Sequence, residues 1–572
     1  MKPVTHRSWR GREADADTVA GLTRSGVAPL LARLLAHRGV CTPDDADAYL
    51  NPVLSRLHDP MALAGMDQAV ARLARAHKAG ERVCVHGDYD VDGVTSCALL
   101  LSFFRKIGLD CCHYIPKRLT EGYGLSEQGV AAAARAGATV LVTVDCGITA
   151  VNEARLCREA GLDLIVTDHH APGEVLPDAC AVVNPLQPGC RFPFKSLAGV
   201  GVAFHLVVAL RARLRADGHF AGGGEPDLKE YLDLVALGTI ADVVPLLGIN
   251  RVLVSYGLKQ LCTGDRIGIE ALKEVAGITG EVGCGAVGFR LAPRINAAGR
   301  LEDASLGLEL LLCGDLQRAR DIAKELDEAN VERQALERAT FEEARSMLEQ
   351  GACSGRKSIV LGSELWHPGV IGIVASRIVE LFHRPVILFA FDGETGRGSG
   401  RSISRFHLLD AIKECADHLL RFGGHSHAAG LSIAQEELER FALRFDEAAQ
   451  EVLDAEALTP TLSFDLELGS GDITADLVRQ LEQMKPFGMG NPEPLFVLKG
   501  AQVLESRVLK GGHLKLRVGE GGKSFDAIGF GLAEAGVPQG RVDILFSPAI
   551  NVWNGRSSLQ LTVKDLRAEG TC

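Results

Sequence analysis

Nowhere in the 572 residues does an uninterrupted apolar run grow long enough to cross a bilayer. The opening stretch MKPVTHRSWRGREADAD likewise lacks the apolar core of a secretory signal, so a cytoplasmic protein with no membrane partner is expected. Cys-x-x-Cys pairs are missing as well. The cysteines number 15, an odd count, and Cys111 and Cys112 are adjacent, a poor geometry for one metal ion. This argues against a disulfide or zinc framework and for reduced thiols that fill the core. Nor is there an excess of basic residues. Lys and Arg number 61 against 73 Asp and Glu, a formal net charge of −12. That argues against a basic nucleic-acid coat and leaves room for a local basic channel. What remains is an ordinary globular composition, 47% hydrophobic and 23% charged, in a chain long enough for two to four domains.

The stretch CVHGDYDVDGVTS, residues 84–96, sets Asp88, Asp90 and Asp92 at every second position behind His86. In an extended strand that spacing would put three carboxylates on one face, where like charges oppose each other's ionisation. A bound cation is the simplest remedy; the bland alternative is a solvated acidic turn. From about residue 80, short β-branched runs alternate with helical stretches: RVCVHG, ATVLVTVDCG, LDLIVTDHH and CAVVNP. That alternation implies a parallel sheet with right-handed crossovers, whose ligands gather at the carboxyl ends of the strands. The first three runs end in ionisable residues: His86 with the three aspartates, then Asp145, then Asp168, His169 and His170. A further apolar stretch, YLDLVALGTIADVVPL, is expected to deliver Asp242 in the same way. Four acidic ends at one sheet edge favour a metal site over chance, because burying them unpaired is costly.

Residues 314–350 contain no proline and read as one long amphipathic helix. Its length, about 50 Å at 1.5 Å per residue, suits a bridge between two lobes. The second lobe, from 353, repeats the strand–helix style and presents the Gly-rich turns GRGSGRSIS and RFGGHSHAAG. After about 460 short alternating strands take over, the texture of a small β-barrel. The expected divisions are an N-terminal helical flank (1–75), a metal-binding domain (76–313), the connecting helix (314–352), a substrate-binding domain (353–457) and a nucleic-acid-binding barrel (458–572). The flank is expected to lie against the core rather than stand alone.

Carboxylates and imidazoles without thiolates suit Mn²⁺ or Mg²⁺, and there are enough ligands for two ions. Such a pair supports hydrolysis of a phosphate ester. Arg118, Arg294, Arg300 and Arg401 sit beside Gly or Pro turns, as phosphate clamps do, and the backbone of GSG and GGHSHAAG would add N–H donors. His425 and His427 form a less favoured metal pair.

GDYDVDG, VDCG, TDHH and IADVVPL resemble, in order, the motifs of the DHH phosphoesterase superfamily, and WHPGVIGIVASR with GGHSHAAG resembles its companion DHHA1 domain. The full layout, with PRINAAGR, the long helix and PFGMGNPEPLF, is similar to the single-stranded-DNA-specific exonucleases of that superfamily. The resemblance covers nearly the whole chain. It implies an α/β fold: a parallel-sheet DHH domain and a smaller α/β DHHA1 domain joined by a long helix, followed by a C-terminal OB-fold β-barrel. It implies a 5′-to-3′ exonuclease that removes mononucleotides from single-stranded DNA with two Mn²⁺ or Mg²⁺ ions, in recombination and repair. By position, His86, Asp90 and Asp145 would hold one ion, and Asp92, Asp145, His169 and Asp242 the other. His170 would contact the scissile phosphate, and Asp88 would either ligate or orient its neighbours. Arg118, Arg300, Ser399 and Arg401 would bind the phosphates, with His425 beside them. A helicase and a single-strand-binding protein are the expected partners of a monomer. Trp553 and Phe496 are candidates for base stacking, with a core role the commoner fate of such aromatics. Small-molecule phosphoesterases share the metal motifs, and a scaffold without metal is the non-enzymatic alternative.

Overall fold

The computed structural model describes residues 7–118, 121–301, 303–536, 538–553 and 556–570. The N-terminal strand β1 (Ser8–Gly11) precedes a five-stranded parallel sheet made of β2 (Val83–His86), β3 (Cys111–Tyr114), β4 (Val140–Val144), β5 (Asp163–Thr167) and β6 (Ala181–Val183), in the order β3-β2-β4-β5-β6. The central strands are apolar on both faces because helices cover both. Val83, Val85, Val140, Val142 and Ile165 point into one core with the helices Val91–Lys106 and Gly199–Ala216, while Cys84, Leu141, Leu164 and Val166 point into a second core with Val130, Ala133 and Ala154. The chain leaves β2 toward β3 on one side and returns to β4 on the other. The crevice where connections diverge therefore lies at the carboxyl ends of β2 and β4.

The stretch that delivers Asp242 is a helix, Leu232–Ala241, and not another strand; Asp242 is its C-cap. It packs against Val91–Lys106 and the helix Gly248–Thr263 and is buried nearly all round, so it shows no helical periodicity. A short apolar run of this kind cannot be told from a buried strand by pattern. Gly238 permits the close approach, since a β-carbon there would collide with Thr95 and Asp92.

The helix Leu316–Glu349 spans both lobes: Ala319, Ile322, Ala323 and Leu326 join the first core, and Phe341, Ala344 and Leu348 join the second. The second lobe is a mixed sheet of β7 (Ile359–Ser363), β8 (Val386–Asp392), β9 (Thr395–Arg401), β10 (Arg421–Gly424) and β11 (Ala428–Ala434), in the order β10-β11-β9-β8-β7. Beyond it come β12 (Thr461–Phe464) and β13 (Leu466–Glu467), then β14 (Phe496–Leu509), β15 (His513–Glu520), β16 (Lys523–Gly529), β17 (Arg541–Trp553) and β18 (Arg556–Ala568). Strands β14, β15, β16, β18 and β17 pair in that order, and β17 pairs back to β14, closing a five-stranded barrel of OB type.

The N-terminal flank divides between two bodies. Leu22, Leu34, Leu35 and Tyr49 share one cluster with Leu477, Phe496 and Phe546 of the barrel region, and β1 pairs in parallel with β12. The helix Met66–Ala79 packs instead on the parallel sheet. The buried Arg251 ties these bodies together, donating to the carbonyls of Tyr49, Met484 and Gln483 with its guanidinium over the Tyr49 ring. Phe496 is core, out of reach of a base; the side chain of Trp553 lies outside the described residues. Every described cysteine is free. No helix among the described residues is long and apolar enough to cross a membrane.

Candidate metal centre and phosphate pocket

The three aspartates behind β2 are split by a turn rather than aligned on a strand. At Gly93 a β-carbon would lie 2.5–2.7 Å from the Asp88 backbone, so the turn packs directly on the first turn of the helix Val91–Lys106. Asp90 is the N-cap of that helix, accepting from Asp92 N (2.9 Å) and Gly93 N (3.1 Å), while Asn296 Oδ1 accepts from Val91 N (3.1 Å). Asp92 faces another helix start, accepting from Gly199 N (2.6 Å) and Val200 N (2.8 Å). Two helix N-termini thus hold the two carboxylates in different directions.

Asp145 leaves β4 in the left-handed region, with φ 60°. For a residue with a β-carbon this conformation costs roughly 1–2 kcal/mol. It turns the carboxylate into the crevice, where Gly199 leaves the room: a β-carbon there would sit 2.7–2.9 Å from Asp145. His169 Nε2 then lies 3.1 Å from Asp145 Oδ1, 3.6 Å from Asp242 Oδ2 and 3.9 Å from Asp92 Oδ2. Three sets of ligand atoms converge: Asp92 with His169 and Asp242, Asp88 with Asp90 and Asp145, and Asp145 with His169 and His170. His86 belongs to none of them. It is buried, with Nδ1 3.9 Å from Cys146 Sγ, and Gly129 is so close that a β-carbon there would lie 2.6 Å from His86 Nε2.

Asp88 Oδ1, Asp145 Oδ1, Asp242 Oδ2, His169 Nε2 and, beside them, His86 Nε2 are buried and make no hydrogen bond among the described residues. Orphaned polar atoms of this kind are costly unless something else satisfies them. Those of the three aspartates and His169 face one another at ligand rather than hydrogen-bond geometry, and they are hard oxygen and imidazole donors, which suit Mg²⁺ or Mn²⁺. Electrostatics agrees. Burial first, then neighbouring carboxylates, pushes the Asp92 carboxyl up to about 7, that of Asp242 up to about 9, and those of Asp88 and Asp145 well above the usual range. Burial pushes His169 down to about 4, which keeps the imidazole neutral and able to ligate. The cluster carries its charge only with cations among the carboxylates.

Asp168 was visible in TDHH as a strand-end acid, but its role was not. Its Oδ1 accepts from His169 N (2.7 Å), His170 N (3.0 Å) and His170 Nδ1 (2.8 Å), and its Oδ2 from Ile148 N (2.9 Å). Burial opposes its ionisation, yet the bonds from His170 and the backbone outweigh it and hold the carboxyl below its ordinary value. Burial likewise works against a charged His170, and Asp168 more than compensates, raising the imidazole. Asp168 therefore orients His170 at the edge of the cluster and favours its protonated form.

Opposite the carboxylates stand three arginines. Arg300 donates to Gly369 O (3.1 Å) across the junction of the lobes, and Arg401 to Ser399 Oγ (3.2 Å) and Gly400 O (2.7 Å); Arg118 lies over the Tyr89 ring. None has a carboxylate ion pair among the described residues. Burial, then the charges of Arg118, Arg333 and Arg401, pushes Arg300 down to about 10. Mutually repelling, unpaired guanidiniums mark an anion site. Arg294 is not part of it, since it pairs with Asp327 at 2.8 Å. Ser399 and Arg401 lie on β9, paired in register with Gly430 and Ala428 of β11, and His425 is exposed at the hairpin turn before β11. Neither His425 nor His427 enters a metal-ligand set among the described residues.

Residues 82–239 match the DHH family, N-terminal domain; residues 355–451 match the DHHA1 domain; and residues 464–565 match the RecJ OB domain. The single-stranded-DNA-specific exonuclease RecJ of Dickeya dadantii (strain 3937) is 42% identical over 556 residues, which cover 94% of this chain and 96% of that protein. RecJ from Thermus thermophilus in complex with Mn²⁺ aligns with a TM-score of 0.83 at 35% identity, covering 98% of this chain and 80% of that one. The Mg²⁺ complex of the same protein aligns with a TM-score of 0.77 at 33% identity, covering 99% and 79%. Spread over so much of both chains, this likeness spans the domains that carry the carboxylate cluster, the arginine pocket and the barrel, and the chain belongs to the RecJ family.

Proposed function

We propose that this chain is a single-stranded-DNA-specific exonuclease that hydrolyses phosphodiester bonds from the 5′ end and releases 5′-mononucleotides. The observation that carries the reading is the pairing of two features across the lobe junction: a cluster of buried carboxylates with orphaned oxygens, and a pocket of arginines without counter-anions among the described residues. Asp92, His169 and Asp242 with Asp145 would hold one Mn²⁺ or Mg²⁺ ion, and Asp88, Asp90 and Asp145 the other; His86 stands behind this set. The chemistry two such ions supply is activation of a water at neutral pH and neutralisation of the charge building on a phosphoryl group. His170, aimed by Asp168, donates to the scissile phosphate. Arg118, Arg300 and Arg401 with Ser399 take the terminal 5′-phosphate, which fixes the end from which cleavage starts. His425 contacts the next phosphates from the hairpin. A cleft between two lobes that admits one strand excludes a duplex without reading any base. The barrel extends the path for the strand. The setting is the cytoplasm, in recombination and repair, where a helicase and a single-strand-binding protein would supply strands to a monomeric enzyme.

The test is a length series of single strands with either a 5′-phosphate or a 5′-hydroxyl, labelled at either end, with Mn²⁺ present. Mononucleotides released from the 5′ end, with preference for the phosphorylated end that Arg300→Gln removes, are expected. Activity confined to dinucleotides would overturn the reading in favour of a small-molecule phosphoesterase.

A further inference from the structure

Tyr123 belongs to none of the roles above, although it shares with Arg118 the connection between β3 and the helix Glu127–Arg135. Its hydroxyl donates to the backbone carbonyl of Asp145 (3.1 Å) and stands 3.0 Å from His170 Nδ1, and its ring meets the imidazole edge-on at 5.5 Å between centroids. His170 Nδ1 is already engaged by Asp168 at 2.8 Å, which leaves the Asp145 carbonyl as the acceptor for the one phenolic proton. The turn after β4 is otherwise tied from within the sheet. Thr143 Oγ1 donates to Cys146 O (2.8 Å), and Ile148 N donates to Asp168 (2.9 Å). Tyr123 supplies the tie at Asp145 itself, from a separate segment. A residue with a β-carbon stays in the left-handed region only where its surroundings over-determine it, and Asp145 is the carboxylate that belongs to two of the three ligand sets and stands 3.1 Å from His169 of the third.

We propose that Tyr123 is a positioning residue of the hydrolytic site: its hydroxyl locks the left-handed turn that aims Asp145 between the two ligand sets, and its ring sets the tilt of His170. The proposal rests on the reading of the metal centre given above, but it concerns how the shared carboxylate is held, so it is readable without DNA. The ring is half-exposed, which makes a direct contact to substrate the competing role.

Full-length Tyr123→Phe and Tyr123→Ala proteins separate hydroxyl from ring. Mn²⁺ binding is titrated by electron paramagnetic resonance without DNA, and kcat and KM are measured separately on a 5′-phosphorylated strand. Tyr123→Phe is expected to weaken Mn²⁺ binding and to lower kcat, each by about tenfold to a hundredfold, with KM changed less than about twofold. Tyr123→Ala should match it in Mn²⁺ affinity and lose further kcat. Wild-type Mn²⁺ affinity in the near-isosteric Phe protein would overturn the proposal, and so would a rise in KM alone, which marks a substrate contact. If the wild-type chain degraded no single strand while its Mn²⁺ affinity still depended on the Tyr123 hydroxyl, the nuclease reading would fail and the positioning role would stand.

Discussion

Asp168→Asn replaces one carboxylate oxygen by NH₂ and keeps the volume, so its cost follows from hydrogen bonding. The carboxylate accepts three N–H groups at Oδ1 and one at Oδ2. The better orientation of the amide keeps its oxygen toward the three and turns its NH₂ toward Ile148 N, leaving two donors face to face in a buried site. One unsatisfied buried N–H costs roughly 1–3 kcal/mol, and loss of charge from the His170 bond adds about 1 kcal/mol. A destabilisation of about 2–4 kcal/mol is expected, read as a lower midpoint in chemical denaturation. The folded Asp168 carboxyl sits below its ordinary value. Its contribution is therefore complete above the unfolded carboxylate range near pH 4 and is lost only as pH falls through the folded value, so the full effect is measured at pH 8. Function should suffer separately: His170 loses the anion that raises its imidazole and aims it, and kcat should fall by about tenfold to a hundredfold with Mn²⁺ saturating. A variant with wild-type midpoint and wild-type kcat would refute the role assigned to Asp168. A lowered midpoint with unchanged kcat would reduce Asp168 to a structural residue.

Gly199→Ala replaces no candidate ligand, yet its β-carbon would press on the Asp145 carboxylate; overpacking by one methyl should cost about 1–3 kcal/mol and abolish tight Mn²⁺ binding, seen by calorimetric titration with the circular dichroism spectrum unchanged. Counting bound Mn²⁺ should separate the ligand candidates. Asp145→Ala is expected to impair both ions and Asp88→Ala one, while His86→Gln keeps the wild-type stoichiometry; loss of an ion in His86→Gln would return His86 to the ligand set. The buried His205 is pushed down from 6.5 to about 4 by burial. The unfolded chain therefore binds the proton first, and the stability His205 contributes, whole above pH 6.5, declines by about 3 kcal/mol as pH falls toward 4. In His205→Gln that part of the pH dependence should disappear, so the stability gap between wild type and variant should narrow over this window in urea denaturation; a gap independent of pH would contradict a neutral buried imidazole.

Residues whose geometry is set within a few positions were legible from sequence. A strand followed by a polar turn places Asp145 and His169 at a sheet edge whatever the rest of the chain does, and the alternation of Val85 and Cys84, or Val142 and Leu141, between two cores follows from the pleat. Asp242 was legible as a member of the carboxylate cluster but not as a helix cap, because a helix buried all round erases its period. The flank was less legible still: Leu22, Leu34 and Tyr49 show an apolar stripe but not the barrel, more than 400 residues away, that covers it. His86 and Asp88 differ in a way that spacing does not show. His86 ends β2 and Asp88 lies in the turn beyond it; a β-carbon at Gly129 would fall on the His86 imidazole and one at Gly93 on the Asp88 backbone, and both residues keep a buried atom, His86 Nε2 and Asp88 Oδ1, with no hydrogen-bond partner among the described residues. Arg294 and Arg300 pose the sharpest case. They lie on one helix beside one motif, and either looks like a phosphate clamp. Asp327 neutralises the first, and nothing among the described residues neutralises the second. Whether an arginine is free to bind a phosphate is a question of charge balance in space. A sequence motif names the guanidinium, but only the folded chain shows which one has a carboxylate partner and which has none among the described residues, and the latter is the one proposed to take its counter-ion from the substrate.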